Sequence, residues 1–419
     1  MHSYPGGNGR RANRRVRIVL GLLLSACVLQ PRVVVAQETG RWDDNVHIGT
    51  LVLDPQVRLE AAWERLDGDT APAQTSGLTL SNKRVGVEGT LGRRFSFEVS
   101  IDPSADRPWR NAKAEYAVAK WLSVTGGRFR VPFSLDGLAS SVERRFVYRS
   151  RLADAYGMGR DVGGVAEMRF FRKRLELRAG YFVRDGDRAY TDATTAGASG
   201  GKVVRATVAP FARRLTAVKT LQFGLGTAHT TLAEGRSGLR LRTGTGDSLN
   251  EALFWSKGRR TRTGADVEWH PGRLLLAAEY ARIADERRGQ GTLNQDLDPL
   301  RGSAWYAEGA WSLTGERSPR SPRRPITAGG SGAIELVGRM EGASLGSTPS
   351  SHLLAPSPRA LSPAGTTLRA TTVGLNWYPF GGARLQVNVV RESFAGNTSP
   401  VHGSQAAALT GIVKFQVSR

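Results

Sequence analysis

The chain has 419 residues and a formal net charge of +22, with 50 Gly, 4 Met and 1 Cys. A mean hydropathy of −0.31 excludes a bundle of helical membrane spans. It does not exclude a β-barrel, whose wall shows only every second residue to lipid.

Met1 to Arg17 carries five Arg and no acid, Ile18 to Leu29 is apolar, and Val34-Val35-Ala36 precedes Gln37. A basic head, a short apolar run and small residues before a cleavage point describe a signal peptide over residues 1–36. The apolar run is shorter than the roughly 20 residues of a spanning helix. Leu24-Ser25-Ala26-Cys27 offers a competing reading as a lipoprotein box, with Cys27 as the lipidated residue. Cleavage after Ala36 removes six Arg and the sole Cys, leaving 53 basic against 37 acidic residues, a net of +16. That excess favours anionic partners; export makes nucleic acid the wrong one.

Residues 37–419 then read as one domain of period-two segments. Val57, Leu59, Ala61 and Trp63 alternate with Arg58, Glu60 and Glu64. Phe95, Phe97, Val99 and Ile101 alternate with Ser96, Glu98 and Ser100, and Leu175, Leu177, Ala179 and Tyr181 with Glu176 and Arg178. Val373, Leu375 and Trp377 alternate with Gly374 and Asn376, and Leu385, Val387 and Val389 with Gln386 and Asn388. Such alternation marks strands with one apolar and one wet face. A soluble sandwich shows it too, but its strands average about five or six residues, whereas strands crossing a bilayer need about 9–11. Several segments reach the longer figure.

Short turns at Gly92-Arg93-Arg94, Phe171-Arg172-Lys173, His270-Pro271-Gly272 and Gly381-Gly382 alternate with long excursions near 132–162, 184–202, 232–250, 284–302, 317–331 and 342–368. Short turns at one end and long surface loops at the other predict an all-β, transmembrane antiparallel barrel of 16 strands, or 18. Trp63, Trp121, Trp269, Trp305, Trp311 and Trp377 fall near strand ends, where an interfacial girdle places them.

Gly127-Arg128-Phe129-Arg130-Val131-Pro132-Phe133-Ser134-Leu135 is followed by Ser140-Ser141 and by Gly159-Arg160-Asp161-Val162-Gly163. Trp305-Tyr306, Leu313-Thr314-Gly315-Glu316, Glu335-Leu336 with Arg339, and Gly374-Leu375-Asn376-Trp377-Tyr378 come later in the same order. Over about residues 80–417 the chain resembles the phosphate-selective porin O and P family. The resemblance implies 16 strands, a homotrimer in outer-membrane lipid, and an inward-folded loop narrowing the lumen. The chain departs from the common aromatic terminus by ending Phe415-Gln416-Val417-Ser418-Arg419, and has Arg184-Asp185-Gly186 where the family often has Asn-Gly.

Arg suits an anion path because it stays charged and presents a planar fork of N–H groups to oxyanions. Arg128 and Arg130 alternate with Phe129 and Val131, which puts the arginines toward the lumen and the apolar pair toward lipid. The segment 132–162 fits the inward loop, carrying Arg144, Arg145, Arg149, Arg151 and Arg160 to the constriction. Arg58, Arg178 and Arg205 lie on polar strand faces and extend the path. Each of these arginines is equally open to a role as a solvated or ion-paired residue.

The six His have no metal-ligand spacing, and no nucleophile elbow or phosphate-cradling loop is present. The expectation is a passive anion-selective outer-membrane channel for phosphate or a polyphosphate-like solute, not an enzyme, and without a cofactor. A surface binding or adhesion barrel without channel activity, and a barrel-borne hydrolase, are the competing readings.

Overall fold

The computed structural model describes residues 45–68, 76–105, 108–186, 197–212, 217–246, 248–249, 254–314, 332–347, 359, 365–396 and 405–418. The leader, the cleavage point at Ala36 and Cys27 lie outside them. Period-two sequence becomes long antiparallel strands: β1 (Val46–Ile48), β2 (Leu51–Gly68), β3 (Ser76–Leu91), β4 (Phe95–Ile101), β5 (Trp109–Ala119) and β6 (Leu122–Arg130). Next come β7 (Arg160–Phe170), β8 (Leu175–Phe182), β9 (Ala198–Val208), β10 (Gln222–Arg236), β11 (Trp255–Trp269) and β12 (Leu274–Arg287). The chain finishes with β13 (Leu297–Ser312), β14 (Ala333–Gly346), β15 (Thr366–Tyr378), β16 (Ala383–Gly396) and β17 (Gln405–Ser418).

All belong to one 17-stranded sheet. Strands β2 to β17 each pair with the next, and β17 pairs with β2 over Ala408↔Gly68 to Ser418↔Arg58, closing a barrel of sixteen strands. The short β1 adds itself to β2. Closure satisfies the backbone groups that an open sheet edge would leave bare in lipid.

Register fixes which face is which. On β15 and β16, Val373, Leu375, Val387 and Val389 are exposed, while Thr372, Asn376, Gln386 and Asn388 on the other face are buried. Val57, Leu59, Leu274, Leu276, Tyr280, Phe415 and Val417 continue the exposed apolar face around the barrel. So much outward apolar surface is the lipid-facing belt of a membrane barrel. Trp269, Trp311 and Trp377 end β11, β13 and β15 at the short-turn end. Trp121, in the β5–β6 turn, stacks on Phe170 with ring centroids 6.1 Å apart. Trp63 and Trp305 lie inside β2 and β13 instead.

Several connections are shorter than the sequence suggests, because strand pairing continues into them. β10 runs to Arg236, β12 to Arg287 and β14 to Gly346. The ends of β13 and β14, Ser312 and Ala333, share the side of the barrel with the turns at 92–94, 171–174 and 379–382. The expected 317–331 loop lies outside the described residues.

Two connections turn into the barrel. Residues 131–159 leave β6, form the short helices α1 (Leu135–Leu138) and α2 (Arg151–Ala155), and return at β7. Ser134 and Ser150 cap these helices with their side chains, each accepting from the backbone N–H three residues on. The β10–β11 connection follows them inward through Leu239, Leu241 and Leu249, none more than 3% exposed. Together they bury Phe129, Val131, Phe133, Leu152, Tyr156, Phe182 and Phe394 in one apolar cluster inside the barrel.

This cluster corrects the facing assigned to the β6 end. Phe129 and Val131 point into the barrel, where the Phe129 ring meets Phe182 edge-on at 5.5 Å. Arg128 instead shares its row with Ala112 and the exposed Val162, and its Nε donates to the Trp109 carbonyl at 3.0 Å. The expected arrangement assumed a wet lumen; loops fill this part of it, so its inner face is apolar.

Gly186 tests how tightly the pieces fit. Its φ is +83°, and a Cβ there would collide with the Met158 carbonyl of the inserted loop. Gly186→Ala is expected to lower barrel stability by about 1–3 kcal/mol, read as a shift in denaturant midpoint in detergent.

Candidate functional site

The inserted loop is held by polar groups projecting inward from the wall. Arg145 Nε donates to Glu335 Oε1 on β14 at 3.0 Å, and Arg151 Nη2 to Glu392 Oε1 on β16 at 2.6 Å. The α2 terminus places the Arg151 N–H on Glu341 at 2.6 Å, and Glu279 accepts the Leu135 and Asp136 N–H groups beginning α1. Asn388 accepts the Val147 N–H, and Asn376 and Gln386 donate to the Arg145 carbonyl. Carboxylates thus meet helix N-termini and guanidinium groups, where negative charge is most favourable.

The other expected pathway arginines are engaged as well. Arg149 donates to the Asp136 and Ala139 carbonyls, Arg144 to the Val147 carbonyl and Arg130 to the Gly137 carbonyl. Arg160 donates to Asn111 Oδ1. Burial raises the Asp136 carboxyl, but Arg149, Arg339 and Arg144 more than offset it and hold the group below the usual carboxylate range. Arg178 lies between Glu167 and Glu176 at 2.9 and 2.8 Å, and Arg205 bridges the Phe133 carbonyl and Asp266. In this barrel most of these arginines fasten the loop or the wall.

Two basic residues that the sequence reading passed over stand beside the loop. Arg384, buried on β16, donates to the Ser141, Val142 and Arg144 carbonyls and to Gln416. Lys414, buried on β17, pairs with Glu60 of β2 at 3.1 Å. Arg58 reaches Ser141 Oγ at 3.1 Å, and Arg144 lies close enough to act electrostatically on Glu60. Where the loop meets the closing seam, Lys414 and Arg144 thus act on Glu60, while Arg58 and Arg384 bind the adjoining loop residues. Their positions between residues 58 and 414 leave no local motif to find; only their alternation with Leu59, Leu385 and Phe415 marks them as inward.

A barrel of sixteen strands with an outward apolar belt and a charged loop inserted into its lumen is the architecture of an outer-membrane channel. The family model described as phosphate-selective porin O and P matches residues 56–416. The chain belongs to that family. Among solved structures, this porin is similar to OmpT of Vibrio cholerae, at 11% identity and a TM-score of 0.55, covering 90% of this chain and 100% of that one. DcaP, an outer-membrane channel of Acinetobacter baumannii, is similar at 9% identity and a TM-score of 0.55, covering 89% and 99%. At these identities the likeness shows the barrel fold alone. Curated protein sequences contain no match to this chain. Among the described residues no group of His, Cys, Asp or Glu is placed to hold a metal ion.

Proposed function

We propose that this outer-membrane porin is a passive diffusion channel that favours small anions, inorganic phosphate first among them. The observation that carries this reading is the gathering of Arg58, Arg144, Arg384 and Lys414 where the loop meets the closing seam, with Glu60 paired to Lys414. A wall with surplus positive charge and low-dielectric surroundings concentrates anions and repels cations. Several such sites, none tight, let an ion leave as well as enter. The family description supplies phosphate as the solute. Export by a leader over residues 1–36 and assembly as a homotrimer belong to the same proposal; the latter is supported by the trimer form of the Vibrio cholerae OmpT structure.

Planar-bilayer recordings across a KCl gradient test the reading. The reversal potential is expected to favour chloride, and added phosphate to reduce the chloride current. Neutralising the two half-buried members of the cluster, by Arg58→Gln with Arg144→Gln, is expected to lower the anion-to-cation permeability ratio. Cation preference in the unaltered channel would overturn the proposal.

A further inference from the structure

A second charged feature lies on the short-turn side of the inserted loop. A cavity of about 390 Å³, open on one side, lies between that loop and the wall from β8 to β14, a volume typical of small-molecule sites. Glu268, Ala277, Glu308 and Arg339 occupy one cross-strand row on β11, β12, β13 and β14. Adjacent strands are about 4.8 Å apart, so two carboxylates face each other across roughly two strand spacings with only the Ala277 methyl between them. Glu268 also meets His270 Nε2 at 3.2 Å, and Glu308 lies 3.9 Å from Arg339 Nη1.

Arg339 is 4% exposed. Its Nη2 donates to the Tyr148 and Arg149 carbonyls and to Glu341, and its guanidinium lies 4.5 Å over the Phe146 ring. Its Nε has no hydrogen-bond partner. That nitrogen is itself buried, and the guanidinium as a whole contributes to the cavity lining. Beside this row the lining is apolar at Leu135, Leu138, Phe146 and Leu275, of which Leu135, Phe146 and Leu275 cluster with Ala277, and beyond them it is charged, with Arg178, Arg205 and Asp266.

We propose that this cavity binds a small zwitterion with an apolar tail, of the α-amino-acid class. The ammonium group sits over Ala277 between Glu268 and Glu308, the carboxylate meets Arg339, and the tail packs on Leu135, Leu138 and Phe146. The anion cluster above shares one residue with this cavity, Arg144, and otherwise resides on β2, β16 and β17.

Single-channel recordings with L-norleucine test it, beside hexanoate and pentylamine, which each lack one of the two charged groups. Norleucine is expected to interrupt the current, and both analogues to bind about ten-fold or more weakly, as loss of one charged hydrogen bond requires. Glu308→Gln is expected to weaken norleucine by a similar factor while leaving hexanoate unchanged. Interruption by hexanoate or pentylamine as strong as by norleucine, or none by norleucine, overturns the proposal. The comparison within the unaltered channel stands even where the variant fails to fold. Reversal potentials from the same recordings report separately on anion preference.

Discussion

An Asp185→Asn porin is expected to lose about 3–5 kcal/mol of stability, the usual consequence of taking one partner from a buried ion pair. Asp185 follows β8 and is fully buried. Its Oδ2 meets Arg260 Nη1 at 2.7 Å and Arg262 Nη2 at 2.7 Å, and its Oδ1 accepts from Thr230 at 2.6 Å. Arg260 continues to Asp285 through Nε at 2.6 Å, and Ser237 of the second inserted loop donates to the same Asp285 at 3.0 Å. Arg262 Nε donates to the Tyr156 carbonyl of the first loop at 2.9 Å. Two aspartates and two arginines thus tie both inserted loops to β11 and β12. Thr230→Ala removes one neutral donor and is expected to cost only about 1 kcal/mol. Equal shifts in denaturant midpoint for the two variants would refute the ionic account.

The pH dependence has a definite sign. Burial raises the Asp185 carboxyl, but Arg262 and Arg260 outweigh it and hold the group far below the ordinary range. A carboxyl depressed on folding stabilises the native state above its unfolded value, about 4, and that stability fades as pH falls toward the folded value. Acid titration of the unaltered barrel is therefore expected to lower its denaturant midpoint from about pH 4 downward. In Asp185→Asn that slope is expected to flatten.

The lipid side of this porin was legible in its sequence because lipid imposes one rule on every outward position. Val373, Leu375, Val387 and Val389 obey it, and strand length then separates a membrane barrel from a sandwich. The lumen side obeys no single rule. Phe129 and Val131 look like lipid-facing residues, yet they pack against Phe182 because a loop fills the space beside them. Alternation distinguishes two faces without saying which is inside. Leu239 and Leu241, alternating with Arg240 and Arg242, carried a signal for the second inserted loop within a stretch read as a polar excursion. Arg384 and Glu392 carried no signal beyond their inward place in the alternation, since each acts on the loop from more than 200 positions away.

Glu392 joins the two inserted loops directly. Its Oε1 accepts from Arg151 of the first at 2.6 Å, and both of its oxygens accept the Gly244 N–H of the second at 3.1 Å. The side chain is 1% exposed, so neither bond is screened by water. Glu392→Ala withdraws the acceptor for both loops and leaves the Arg151 guanidinium buried without its carboxylate, a cost of about 3–5 kcal/mol. Even about 3 kcal/mol shifts a latched population by roughly two decades. The expected result is a channel of higher conductance with frequent current fluctuations, admitting larger neutral solutes in liposome-swelling assays. Arg151→Ala breaks only the first loop's bond and is expected to give part of the increase. Combining it with Glu392→Ala should add less than the separate effects, because the two residues share one interaction. Full additivity, or unchanged conductance in Glu392→Ala, would mean that the loops are held independently of this residue. The lumen would then owe its closure to the apolar cluster of Phe129, Leu152, Leu241 and Phe394 rather than to a carboxylate latch.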